Sequence, residues 1–170
     1  MLYNKQYRVE SARLREYDYS ICAWYYVTIN VFQHQELLGF VQNNIMLLND
    51  LGEIVQSEWL AIPRIRTNVG LDEFIIMPNH MHGIVIIEGN KAGNNDLFKN
   101  DKQNLSNIIR GFKGSVTSKI HKLGLTDFQW QPRFYDRVIR NERELFYIRQ
   151  YIEQNPLKWD LSEELPDNLY

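Results

Sequence analysis

Phe74-Ile75-Ile76-Met77-Pro78-Asn79-His80-Met81-His82-Gly83-Ile84-Val85-Ile86-Ile87 is the stretch that decides the fold. Apolar, β-branched residues flank Pro78-Asn79, which is turn chemistry, so Val69 to Ile76 and Met81 to Glu88 read as the two strands of a hairpin. Strand side chains alternate between faces, which puts His80 and His82 together and Met81 opposite them. Two adjacent imidazoles need partners. Neutral imidazole is the commonest protein ligand for a divalent metal, but two histidines on a strand face can also be ordinary hydrogen-bonding residues, and the pair alone leaves both readings open. A closed zinc site would want four N/S ligands, whereas the single cysteine, Cys22, lies far off and His34 and His121 belong to other segments. Two histidines completed by oxygen ligands and water suit magnesium or manganese.

Working outward, residues 20 to 32 are β-branched and aromatic and read as a strand, with Leu37 to Gln42 and Ile45 to Leu48 as short ones. Asp50-Leu51-Gly52-Glu53 opens a helix that Pro63 should end. Leu105 to His121 is amphipathic. Ile108, Ile109, Phe112, Val116 and Ile120 should face the core, and Arg110, Lys113 and Lys119 should face away. Residues 128 to 139 begin irregular and become a strand. Asn141 is an N-cap candidate for a helix running to about Asn155, where Pro156 should stop it. Strands mixed with two or three helices, in the order β-β-β-α-β-β-α-β-α, predict an α+β fold: an antiparallel sheet with helices packed on it. The 170 residues read as a single domain, with a Gly/Asn-rich loop over 89–104 and an acidic tail over 160–170.

Apolar residues make up 44% and charged residues 24%, an ordinary globular balance. One cysteine excludes an internal disulfide framework, and neither a leader-like apolar stretch nor a membrane-length run is visible, so the expectation is a cytoplasmic protein with no membrane contact. The net charge of −2 argues against indiscriminate nucleic-acid binding, yet residues 102–149 hold ten Lys/Arg against four Asp/Glu. A basic middle can present a positive face even when the total is near zero. Arg110, Lys113, Lys119, Arg133, Arg137 and Arg140 are the candidate DNA-binding residues.

The last helix is where a mechanism enters. Tyr147, Tyr151 and Asn155 recur at i, i+4, i+8 and form one stripe. If that face docks on His80 and His82, the site holds two imidazoles, an amide oxygen of the type hard metals accept, open water positions and a phenol. That set suits phosphodiester cleavage: a cation polarises the phosphate and a tyrosine attacks phosphorus, keeping the strand as a covalent ester. With ten tyrosines in the chain most must be packing residues, and Tyr147 and Tyr135 stand as alternatives to Tyr151.

His80-Met81-His82 resembles an HUH motif (His, hydrophobic, His), and Tyr151-Ile152-Glu153-Gln154-Asn155-Pro156 resembles the tyrosine helix of the REP-associated tyrosine transposases, in the single-tyrosine HUH endonuclease superfamily. The resemblance covers most of the chain, including Asp18-Tyr19-Ser20, Tyr26-Val27-Thr28-Ile29, Leu71 to His80, Phe112-Lys113 and Trp130 to Arg140. It implies a ferredoxin-like, RRM-like sheet with the HUH pair on a central strand. It implies a Mg2+- or Mn2+-dependent endonuclease and strand transferase acting on single-stranded hairpin DNA. By position, Tyr151 would be the nucleophile forming a 5′-phosphotyrosine, and His80, His82 and Asn155 would hold the metal. Related insertion-sequence enzymes use a Gln in the third place; Gln154 is one residue short of a full turn from Tyr151, so Asn155 is preferred. Those relatives work as dimers while some REP-associated members look monomeric, so homodimer and monomer both stay open.

Two rivals belong to other classes. A non-catalytic module could stack single-stranded nucleic acid on exposed aromatics such as Tyr25, Tyr26, Phe32 or Trp130. A metal hydrolase could use water as nucleophile, with Tyr151 positioning substrate only.

Overall fold

The computed structural model describes residues 23–88 and 104–164, so expectations for 1–22, 89–103 and 165–170 lie outside the described residues. Strand β1 (Ala23–Asn30) is followed by a short hairpin, β2 (Gly39–Gln42) and β3 (Ile45–Leu48), then helix α1 (Asp50–Ile65), β4 (Val69–Met77) and β5 (His80–Ile87). Helix α2 (Leu105–Lys122), β6 (Tyr135–Ile139), α3 (Glu142–Glu153) and α4 (Asn155–Glu164) complete the order. β4-β5-β1-β6 form one antiparallel sheet, the split βαβ arrangement expected of a ferredoxin-like fold. β2 and β3 stand apart as a two-stranded ribbon rather than joining that sheet. Its turn is Asn43-Asn44, both at positive φ, a conformation asparagine tolerates and tight hairpins need.

Alternation divides the sheet. Tyr25, Val27, Ile29, Met81 and Val85 point to one side and form the main core with Val55, Trp59 and Ile62 of α1 and Ile108, Ile109, Phe112, Val116 and Ile120 of α2. Tyr26 and Ile84 point to the other, where Ile152 of α3 packs on them with Leu145 and Ile148 alongside. Helices therefore cover both faces. At Gly83 the first side is packed so closely that an added Cβ would lie 2.5 Å from the Trp59 ring, so only glycine fits beside His82.

The two prolines expected to end helices behave differently from expectation. Pro63 lies in the last turn of α1, which continues to Ile65. Pro156 sits in the first turn of α4, where its missing N–H would have no intrahelical partner and its φ suits a helix start. It opens a helix as well as following one. Part of the expected acidic tail is accordingly helical, and Asp160 accepts a hydrogen bond from the Asn44 backbone N–H at 2.6 Å rather than being merely solvated. Among the described residues no helix is long and apolar enough to cross a membrane.

Candidate active site

The β4–β5 turn is clamped from outside: the Val31 N–H donates to Asn79 O at 2.9 Å and the Leu38 N–H to Pro78 O at 3.0 Å. This fixes the start of β5, where His80 and His82 emerge on the α3 side. Their Nε2 atoms lie 3.1 Å apart. Behind them, His80 Nδ1 is 2.6 Å from Asn79 Oδ1, and His82 Nδ1 is 2.7 Å from the Tyr26 hydroxyl and 2.8 Å from Thr28 Oγ1. The β1–β5 register explains the second set, since Thr28 stands directly opposite His82 and Tyr26 is two residues along the same face.

The supports differ. A carbonyl oxygen on Asn79 keeps the proton on His80 Nδ1 and leaves Nε2 with its lone pair. A hydroxyl can donate or accept, so Tyr26 and Thr28 serve His82 in either tautomer. Burial, with the charge of His34 next and Asn155 opposing, pulls the His80 pKa down to about 4. Burial and then His80 pull His82 down to about 3. Both imidazoles are neutral near pH 7, the form that binds a cation. Burial also pushes the Tyr26 phenol up to about 12, so it stays protonated as a hydrogen-bonding support.

The other half arrives on α3 and α4. Asn141 caps α3 by accepting from the Glu144 N–H at 2.9 Å, and Ile152 pins the helix on Tyr26 and Ile84. One residue earlier, the Tyr151 ring lies 5.3 Å from that of His82 and 6.4 Å from that of Tyr26. Asn155, at the break between the helices, is only 6% exposed and hydrogen-bonds His80, whereas Gln154 is exposed. Trp159 and Lys158 of α4 complete the surround, with Trp159 5.9 Å from the His80 ring and Lys158 Nζ 4.4 Å from the Tyr151 ring centroid. Of the alternative tyrosines, Tyr135 contacts Tyr26 edge-on at 6.4 Å and Tyr147 packs against Phe146 at 5.8 Å; Tyr151 is the one beside His82.

The spacing of the two imidazoles is compatible with a shared divalent cation. Two ligands at right angles on one ion with bonds of about 2.1 Å lie about 3.0 Å apart, close to the 3.1 Å between the two Nε2 atoms. No group of three or more His, Cys, Asp and Glu that could hold a metal occurs among the described residues. His80, His82 and Asn155 are neutral donors that could hold a divalent cation.

The six expected DNA-binding cations do not form one face. Arg137 and Arg140 line a groove of about 950 Å³ between β6 and α3, on the histidine side. Arg110 and Lys113 line a separate groove of about 680 Å³ on α2, across the sheet. Lys113, expected to point away from the core, is half-buried; it donates to the Gln131 and Pro132 carbonyls, and burial lowers its pKa to about 8. Lys119 is ion-paired with the buried Glu58, which also accepts from Ser115. Arg133 is exposed before β6.

No family model matches the chain. A protein of Haemophilus influenzae is 36% identical over 163 residues, covering 90% of this chain and 91% of that one. The chain belongs to that protein's family. The Haemophilus member is uncharacterised, so membership brings no activity with it. The REP-associated tyrosine transposase of Escherichia coli K12 is 29% identical over 97 residues, 57% of this chain and half of that one. Among solved structures, a REP-associated tyrosine transposase bound to a REP hairpin superposes with a TM-score of 0.60 at 23% identity, over 87% of this chain and 74% of that one. A Deinococcus radiodurans structure named for a transposase gives 0.50 at 13% identity, over 83% and 95%. In fold, this member of the Haemophilus protein's family is transposase-like.

Proposed function

We propose that the protein is a Mg2+- or Mn2+-dependent single-stranded DNA endonuclease and strand transferase that acts on hairpin-forming DNA through a 5′-phosphotyrosine on Tyr151. The observation that carries this reading is the meeting of Tyr151 and Asn155, from the α3–α4 junction, with the His80–His82 pair on a central strand. The E. coli relative's name and the hairpin bound in the solved neighbour support the substrate class.

When bound at His80, His82 and Asn155, the cation supplies Lewis-acid polarisation of the scissile phosphate. Tyr151 gives up its proton and its oxygen attacks phosphorus. The P–O3′ bond breaks, the 3′-oxygen leaves as a hydroxyl after taking a proton, and the 5′ side stays on the enzyme as an aryl phosphodiester. Such an ester conserves much of the bond energy, so a second 3′-hydroxyl can attack it and rejoin DNA without ATP. Lys158 holds a positive charge beside the ring in which negative charge develops. Tyr26, Thr28 and Asn79 orient the imidazoles from behind.

Incubation with single-stranded hairpin oligonucleotides and Mn2+, followed by a denaturing gel, tests the reading. A covalent adduct lost in Tyr151→Phe supports it. Cleavage that leaves no adduct and survives Tyr151→Phe points to a hydrolase. Binding without either points to a non-catalytic module.

A further inference from the structure

The β6–α3 groove runs away from Tyr151 and the metal-site reading leaves it unused. It exists because α3 lies toward β4, at the far edge of the sheet, and leaves the β1–β6 side open. Down its helical wall come Tyr151, Tyr147 and Arg143, each a turn, or about 6 Å of rise, from the next. Tyr147 is 54% exposed, and the Arg143 guanidinium stands 5.8 Å from its ring centroid. The sheet wall offers Tyr135, 46% exposed, and Arg140 follows β6. Glu144 is committed to Arg137 at 2.6 Å, and among the described residues no ion pair engages Arg140 or Arg143. A positive groove with exposed flat rings on both walls fits a polyanion whose units carry flat faces. A duplex hides those faces; a single strand presents them.

We propose that this groove is the single-strand track: DNA flanking the scissile phosphate runs along it, one base stacked on Tyr147, with Arg140 and Arg143 on the phosphates. This rests on the transferase reading for its substrate class and adds Tyr135, Tyr147 and Arg143 to the binding residues. The test uses Tyr151→Phe protein, which lacks the proposed nucleophile, with Mn2+ and a fluorescent oligo-dT followed by anisotropy. Tyr147→Ala should weaken binding about tenfold and Tyr147→Trp should restore it, because stacking needs a ring and not a hydroxyl. Arg143→Ala should weaken binding and reduce the salt slope by about 0.7. Binding within twofold of the parent in Tyr147→Ala overturns the proposal. So does a loss that follows Arg110→Ala instead, which would move the strand to the α2 groove. Because the parent lacks the nucleophile, this result stands apart from the adduct assay: the track can hold where no adduct forms, and an adduct can form where the track fails.

Discussion

Neighbouring residues on the same strands live in opposite worlds. Tyr25 and Met81 are fully buried against α1 and α2, in a core of aliphatic and aromatic side chains. Tyr26 and His82, one residue away, are also buried, yet each spends its polar atom on the other, and Asn155 is buried beside them. The α1/α2 face holds the domain together. The α3/α4 face has a smaller apolar cluster around Ile152 and Ile84 and, beside it, holds polar groups that are costly to bury. A two-residue period lets one sheet do both, since a change on one face need not touch the other.

That division can be broken by exchanging the effects of two substitutions. Trp59→Ala should cost about 3–5 kcal/mol of stability, read in urea, while Tyr151→Phe, at a site 40% exposed, should leave the unfolding midpoint nearly unchanged and abolish the covalent adduct. A smaller effect should follow Thr28→Val, which removes one of two hydroxyls behind His82. Mn2+ affinity should fall about 10- to 100-fold with the fold intact, as measured by calorimetry.

The pH dependence is comparable in size. His82 is held unprotonated, with its pKa down to about 3 against an ordinary 6.5. The unfolded chain therefore binds a proton that the folded chain refuses, and stability falls as pH drops below 6.5. The slope should be about 1.4 kcal/mol per pH unit for His82 until the folded pKa is approached; urea titrations at pH 7, 6 and 5 that show level or rising stability would contradict it. The smallest change is expected from Asn141→Ala, which uncaps α3 and should cost about 1 kcal/mol in the same titration.

Much of the geometry was legible in the residues. The shared face of His80 and His82 follows from strand alternation; helical spacing put Tyr147 and Tyr151 on one stripe, but Asn155 reaches the site from the start of a second helix rather than along the same one. The supports behind His82 were not legible, because Tyr26 and Thr28 become its neighbours only through the β1–β5 register, which the sequence does not state. Pro156 was read by what proline does to the residue before it; it also starts helices, and the resulting break is where Asn155 sits. Net charge along residues 102–149 pointed to one basic surface, but the cations divide between two sides of the sheet and Lys119 is taken by a partner on α1. Charge counted along a chain carries no information about which face it reaches.

The most direct test of the central claim is to locate the DNA-linked residue. The denatured adduct with a hairpin oligonucleotide would be digested with trypsin and nuclease and mapped by mass spectrometry. A nucleotide on Tyr151, within the peptide from Gln150 to Lys158, is the expected result. A nucleotide on Tyr135 or Tyr147, or an unmodified Tyr151 in a preparation that still cleaves, would contradict it.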